Sequence, residues 1–195
     1  MAIGCLAWGS LLWDPRTLPT SGSFQSDGPR LPIEFSRVAL DARVTLVIDP
    51  VAAFIATSWV RLDVGSPEEA VAGLGGRERI APERWPEWIG QLSSDHPTEI
   101  SESGDAGVRQ IIADWRVLQG LDVVVWTALP PRMPDGESRR PNCEELIAHL
   151  QSLDGEARRR AEEYIRRAPA AVRTSNRSRF ESELGQAYQR KRDGD

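Results

Sequence analysis

Alternating apolar and polar positions predict β-strands in the first third of the chain. Residues 3–8 form a short apolar run, residues 33–40 and 43–48 alternate on either side of a two-residue turn, and residues 53–62 are rich in β-branched and aromatic side chains. Strands of this kind pair through their backbones and bury at least one face. We therefore expect these segments, with the later apolar run 121–128, to form one mostly antiparallel sheet or small barrel.

A helical period replaces this alternation in the rest of the chain. Ser66 precedes Pro67 and two glutamates, a helix start that we expect to lead to a stop at Gly75-Gly76. Further helices are predicted over residues 82–92, 108–118, 142–150 and 155–168, and after a Ser178-x-x-Glu181 capping box with Phe180, Leu184 and Tyr188 on one stripe. Residues 19–32, 93–106 and 130–141 are predicted as loops.

The order of these elements predicts a single α+β domain over residues 1–195. Strands with inserted helices fill residues 1–130, and the helices of residues 142–195 form a C-terminal cover. We find no internal repeat and no linker that separates two domains.

Charge and composition limit the classes of partner that the protein is expected to bind. The net charge of −5 gives the whole molecule no attraction for nucleic acid or anionic lipid, and no apolar run is long enough to cross a membrane. The arginine-rich segment 155–180 could bind nucleic acid, but its arginines alternate with glutamates, as on a solvated helix face. With no secretory signal, Cys5 and Cys143 are expected to be reduced thiols of a cytoplasmic protein, with Cys5 in the core.

The search for catalytic groups leaves the carboxylates. His96 and His149 are the only two histidines of the sequence. No pair of residues has the spacing of metal ligands, so no metal or cofactor is expected. Ser10 follows a glycine but lacks the setting of a hydrolase nucleophile. Glu78 differs from the other acids because it follows two glycines where the chain re-enters the body of the protein. A surface ion pair between Glu78 and Arg77 or Arg79 is the competing interpretation.

The stretch AWGSLLWDP, residues 7–15, resembles the opening motif of the γ-glutamylcyclotransferase-like superfamily, and of its ChaC-type branch in particular. The resemblance continues in order through EFSRVALDARVTLVIDP, SPEEAVAGLGGRERI and LDVVVWTAL, and so covers about residues 2–130. It implies an α+β fold whose mostly antiparallel sheet closes into a small β-barrel surrounded by helices.

The resemblance also implies an activity. In that superfamily the α-amine of a γ-glutamyl amine or peptide attacks its own γ-carbonyl, which releases 5-oxoproline and the free amine without a metal or cofactor. Glu78 matches the catalytic glutamate that moves the protons. Trp8, Gly9, Ser10 and Leu11 match the substrate-binding motif, in which Trp8 replaces the usual tyrosine.

Two questions stay open in the sequence. Gly9 is either a strand bulge or the point where the backbone approaches a ligand. The chain is either an active enzyme or a catalytically silent member of the fold that binds a small amino-acid-like ligand or a protein partner. A Glu78 carboxylate in a cleft beside Gly9 and Ser10 favours the enzyme, whereas a solvated carboxylate paired with Arg77 favours the silent protein. The identity of the leaving amine and the oligomeric state are not determined by the sequence.

Overall fold

The computed structural model describes residues 1–94 and 106–183. Its strands are β1 (Ile3–Ala7), β2 (Thr20–Gln25), β3 (Arg30–Val38), β4 (Val44–Ile48), β5 (Phe54–Ala56), β6 (Ser58–Leu62), β7 (Ile89–Ser93) and β8 (Val123–Thr127). Its helices are α1 (Pro67–Glu78), α2 (Trp85–Trp88), α3 (Ala106–Leu118), α4 (Cys143–Ser152) and α5 (Gly155–Arg167), and residues 175–183 are also helical. The predicted α+β class is confirmed.

The larger sheet has the strand order β2–β6–β1–β8–β7. Its central strand, β1, is antiparallel to β6 and parallel to β8. Alternate residues enter two hydrophobic cores: Leu6 and Val124 lie in one, and Cys5 and Val125 lie in the other. Both faces of β1 and β8 are therefore covered, which explains why these segments are almost continuously apolar.

The smaller sheet has the order β4–β3–β5, with antiparallel pairs throughout. The predicted hairpin over residues 33–48 is confirmed, with Phe35 opposite Leu46. Ala42 in the hairpin turn adopts a left-handed backbone conformation, and its carbonyl lies 2.8 Å from Nε2 of His149 on α4. The C-terminal helical region thus holds the tip of this hairpin.

The prediction of one strand over residues 53–62 is wrong, because the chain changes sheets at Thr57. β5 belongs to the smaller sheet and β6 to the larger one. Buried Thr57 makes its hydrogen bonds across the corner: its Oγ1 donates to the Pro29 carbonyl at 2.6 Å, and its carbonyl accepts from the Gly28 N–H at 3.1 Å. The prediction of one sheet or a closed barrel is wrong for the same reason. The described residues form two sheets, and no closed barrel is found among them.

Two strands lie where none was expected. β2 falls in the predicted loop 19–32 and is an edge strand with mostly exposed side chains, so it carries no apolar alternation. β7 replaces the last part of the helix predicted over residues 82–92, whose earlier part forms a 3-10 turn and the four-residue α2. Gly90 of β7 leaves room for the Trp126 indole packed against it, which a helical pattern does not reveal.

The helix α1 begins as predicted, with Ser66 accepting a hydrogen bond from the Glu69 N–H, but it does not stop at Gly75-Gly76. It continues to Glu78 and ends at Arg79, which has a left-handed conformation with φ of 58°. The Trp85 indole packs so closely on Gly75 that a side chain there would collide with it. The glycine therefore serves helix packing and does not end the helix.

Not all of the C-terminal helices begin where the sequence predicted. The capping box of Asn142 and Glu145 starts α4, as expected. The box at Ser178 is wrong, because residues 175–183 are already helical and the Thr174 hydroxyl accepts from the Arg177 N–H at 3.2 Å. Within this helix Phe180 is fully buried against Phe35.

Two parts of these predictions lie outside the described residues, namely most of the loop 93–106 with His96, and the positions Leu184 and Tyr188. Within the described ranges no helix combines the length and the apolar character needed to cross a membrane.

Candidate functional site

A cavity of about 370 Å³ opens where the chain leaves β1. Its walls come from the 3-10 turn Ser10–Leu12, the tip of the β3–β4 hairpin, the last turn of α1 and Tyr164 of α5. All the residues predicted for the site line this cavity, namely Trp8, Gly9, Ser10, Leu11 and Glu78. The tertiary structure thus brings the motif after β1 and the carboxylate at the end of α1 to one place.

Gly9 is not a strand bulge. β1 ends at Ala7, and Gly9 immediately precedes the 3-10 turn, with φ of −128° and ψ of −139°. A Cβ placed on Gly9 would lie 2.5 Å from the hydroxyl oxygen of Tyr164. The close approach that requires glycine is therefore made by a side chain of the protein, and the Tyr164 hydroxyl occupies the space beside the loop.

The other motif residues divide between packing and the cavity. Trp8 is buried and its indole Nε1 donates to the Leu46 carbonyl at 3.3 Å, so it joins the end of β1 to β4. Leu11 is buried in the second core. Ser10 is half-buried, and its Oγ accepts a hydrogen bond from Nη2 of Arg77 at 3.2 Å.

Glu78 forms the ion pair that the sequence suggested, but not on the surface. Its Oε1 lies 2.6 Å from Nη1 of Arg77, whose side chain is only 3% exposed. The same guanidinium donates to the Asp14 carbonyl through Nε at 3.1 Å and through Nη2 at 2.6 Å. Arg77 thus connects Glu78 with the turn that carries Ser10 and fixes the carboxylate at the wall of the cavity.

The position of Glu78 does not help the helix. It is the last residue of α1, where the negative end of the helix dipole disfavours a carboxylate. Its side chain is 20% exposed. The ion pair with Arg77 offsets this unfavourable position.

The cavity wall is strongly cationic. Among the described residues that line it, Arg16, Arg37, Arg43, Arg77 and Arg79 stand against two carboxylates, Asp41 and Glu78. Arg43 pairs with Asp41 at 2.8 Å, whereas buried Arg37 donates to the Pro130 carbonyl at 2.6 Å. Burial, helped by nearby Arg132, lowers the pKa of Arg37 to about 10, so this guanidinium stays charged at neutral pH. The arrangement suits an anionic ligand.

Sequence reasoning missed Tyr164 and Arg37. Tyr164 lies in the apolar stripe of α5, where an aromatic residue is expected to be core, and it is indeed only 6% exposed. Arg37 lies in a segment whose pattern predicted only that the strand pairs with its neighbour in a hairpin. No local signal marks either residue, since only the packing of α5 and β3 around the β1 turn brings them to the cavity.

Neither cysteine lines the cavity. Cys5 is fully buried, as predicted, and burial, with the nearby Glu78 carboxylate, raises the pKa of its thiol. Among residues 1–94 and 106–183, no three His, Cys, Asp or Glu side chains are grouped so that they could hold a metal ion.

Comparisons of the chain with protein-family models, with curated proteins and with solved structures found no match. The residues of the cavity therefore carry the functional conclusion.

Proposed function

We propose that this chain is a cytoplasmic γ-glutamylcyclotransferase-like enzyme that converts a γ-glutamyl amine or peptide into 5-oxoproline and the free amine. The observation that carries this proposal is that Glu78 and the Gly9–Ser10 turn line one cavity and bind the same guanidinium, that of Arg77. A proton acceptor and a substrate-binding turn held at a common wall are what intramolecular aminolysis requires.

Glu78 is the general base of the proposed reaction. Its carboxylate accepts a proton from the α-ammonium of the substrate, which frees the amine to attack the γ-carbonyl carbon. The same residue returns the proton to the leaving nitrogen as the bond from that nitrogen to the γ-carbon breaks. Arg77 keeps Oε1 in place at 2.6 Å, so the second oxygen is the one directed to proton transfer.

The charge of the cavity supports a γ-glutamyl ligand. Every γ-glutamyl compound carries an α-carboxylate, and Arg37 stands in the wall as a buried cation with no carboxylate bonded to it among the described residues. Charge-assisted hydrogen bonds to such a guanidinium are among the stronger polar contacts in proteins. The α-ammonium, in turn, requires a negative partner, which is the role of Glu78.

The sequence resemblance supports the same proposal from a second direction. The motif segments occur in the expected order, with the glycine turn after β1 and Glu78 at the end of α1. We include a γ-glutamylcyclotransferase-like fold in the proposal on this ground.

A silent binding protein is the second candidate, and the Arg77–Glu78 pair is the observation that favours it. The pair of 2.6 Å holds the Glu78 carboxylate against a guanidinium that also donates to Ser10 and Asp14, an arrangement that a structural role alone explains. In addition, Trp8 points its polar atom to Leu46 and supplies no hydroxyl to the ligand. Such a chain would bind an amino-acid-like anion in the cavity and release no product.

One experiment separates the two candidates. The purified protein is incubated with a panel of γ-glutamyl amino acids, peptides and amines, and 5-oxoproline and released amine are measured by mass spectrometry. Equal amounts of both products support the enzyme. Saturable binding of a panel member, measured by calorimetry, without 5-oxoproline supports the silent protein.

A further inference from the structure

The hydroxyl oxygen of Tyr164 accepts a backbone hydrogen bond at the wall of the cavity. The Leu46 N–H of β4 donates to it over a long distance of 3.5 Å. The same oxygen lies beside the turn after β1, where a Cβ placed on Gly9 would be 2.5 Å from it. The hydroxyl is therefore held between β4 and this turn.

A phenol oxygen that accepts N–H bonds still has its own proton to donate. Within residues 1–94 and 106–183, no side chain or carbonyl accepts a hydrogen bond from Tyr164. The residue lines the cavity, so an oxygen atom of a ligand is the acceptor that this proton can reach.

The ring of Tyr164 is held on several sides. Trp13 and Phe35 contact it edge-on, with ring centroids at 5.4 Å and 6.2 Å, and the Arg43 guanidinium carbon lies 5.2 Å from the ring centroid. Burial raises the pKa of the Tyr164 hydroxyl, and the Glu78 carboxylate acts in the same direction, so the hydroxyl keeps its proton at neutral pH. The group is a fixed, neutral donor.

We propose that the Tyr164 O–H is the donor that binds the γ-carbonyl oxygen of the ligand and stabilises the negative charge that develops there. The inference rests on the proposed function, and it makes Tyr164 a second catalytic residue beside Glu78. It also gives the cavity a hydroxyl from α5, although the motif after β1 carries Trp8 in place of a tyrosine.

The proposed step balances without a further reactant. The α-nitrogen forms a bond to the γ-carbon, the carbonyl electrons move to its oxygen, and Tyr164 donates a hydrogen bond to that oxygen while keeping its proton. When the carbonyl re-forms, the bond from the γ-carbon to the leaving nitrogen breaks. The α-ammonium loses two protons in all and the leaving nitrogen gains two, both carried by Glu78, so the protein ends in the state in which it began.

The test is Tyr164→Phe, which keeps the ring and removes the hydroxyl. Loss of one donor to a developing oxyanion lowers kcat by about 10²-fold or more, with KM changed much less. Binding of 5-oxoproline, whose lactam oxygen derives from the same carbonyl, is measured by calorimetry and should weaken about fivefold, the usual effect of one neutral hydrogen bond.

The outcomes distinguish this inference from the proposed function. An active wild type with a Tyr164→Phe rate within threefold of it, or above it, overturns the role of Tyr164 and leaves the function standing. If the wild type binds 5-oxoproline but turns over no substrate, and Tyr164→Phe binds it more weakly, the proposed function is refuted and the role of Tyr164 as a hydrogen-bond donor to the ligand is supported. If the wild type neither binds nor reacts, both are overturned.

A second variant applies if Tyr164→Phe does not fold. Tyr188→Phe leaves Tyr164 as the one tyrosine of the chain, and fluorotyrosine is then incorporated there. The more acidic phenol loses its proton at lower pH, so the alkaline fall in kcat moves to lower pH. An unmoved alkaline limb overturns the inference, because a residue that only packs would not change it.

Discussion

Arg77 and Glu78 are neighbours in the chain and form an ion pair of 2.6 Å, although the side chain of Arg77 is 3% exposed and that of Glu78 is 20% exposed. The buried partner belongs to the protein interior, and the carboxylate faces the cavity. The guanidinium therefore joins the turn after β1 to the end of α1, and the carboxylate is the part of the pair that lines the cavity.

Arg77→Met should destabilise the fold strongly. The variant leaves the Asp14 carbonyl, the Ser10 hydroxyl and the Glu78 carboxylate without their shared donor, and removing one member of a buried pair costs about 3 kcal/mol. Urea unfolding measures the change. The matched control is Arg84→Met, which breaks an exposed pair of the same length with Glu87 and should cost less than about 1 kcal/mol. Equal costs for the two variants would contradict a structural role for Arg77.

Glu78→Gln should abolish turnover and keep the fold. The amide is nearly the same size and its oxygen still accepts from Arg77, but it takes no proton, so the release of 5-oxoproline should fall by at least about 10²-fold. Glu87→Gln, at an exposed position, is the control and should react like the wild type. If Glu78→Gln unfolds at the wild-type temperature and reacts at the wild-type rate, Glu78 is not the base.

Gly9→Ala should destabilise the protein, and Tyr164→Phe should relieve part of that effect. The new methyl group would press on the Tyr164 hydroxyl oxygen, and overpacking of this kind costs about 2 kcal/mol. Free energies of unfolding of both single variants and the double variant form a thermodynamic cycle. We expect the double variant to be more stable than the sum of the two effects. Strict additivity would show that the two residues do not touch.

Glu34 should make the stability of the protein fall as pH rises. This buried carboxyl accepts from the Phe35 N–H at 2.8 Å, yet burial raises its pKa, against the opposing effect of its hydrogen bonds to Thr174, Phe35 and Asn176. The folded state thus holds the proton more tightly than the unfolded state. The resulting stability is present below the ordinary pKa of about 4.3 and is lost as pH rises through the raised value.

The measurement for Glu34 compares wild type and Glu34→Gln by urea unfolding from about pH 4 to about pH 8. The variant cannot ionise at this position, so the wild type should lose stability relative to it as pH rises. Two curves that run parallel over this range would contradict the prediction.

Several elements could be predicted because their causes are local. The start of α1 follows from Ser66 and Pro67, and the start of α4 follows from Asn142 and Glu145, which satisfy the first free N–H groups within one turn. The apolar run of β8 predicts a strand that is covered on both faces. Each of these depends on residues within a few positions of one another.

Other features depend on contacts between distant segments, and no short window of sequence contains them. β2 exists because its backbone pairs with β6. Position 75 requires glycine because the Trp85 indole packs against it. The chain passes from one sheet to the other where Thr57 contacts residues 28–29. The sequence alone therefore predicted more continuous strands and an earlier helix end than the structure has.

The candidate site divides in the same way. The sequence by itself determined that the strand pattern breaks at Gly9–Ser10 and distinguished Glu78 from the other acids, because both are local departures from a regular pattern. Only the tertiary structure decided that Arg77 is buried between them, that Arg37 faces the cavity, and that Tyr164 of α5 places its hydroxyl against Gly9. The physical reason is that a side chain's role in a cavity is set by which segments pack around it, and packing joins residues that the chain keeps far apart.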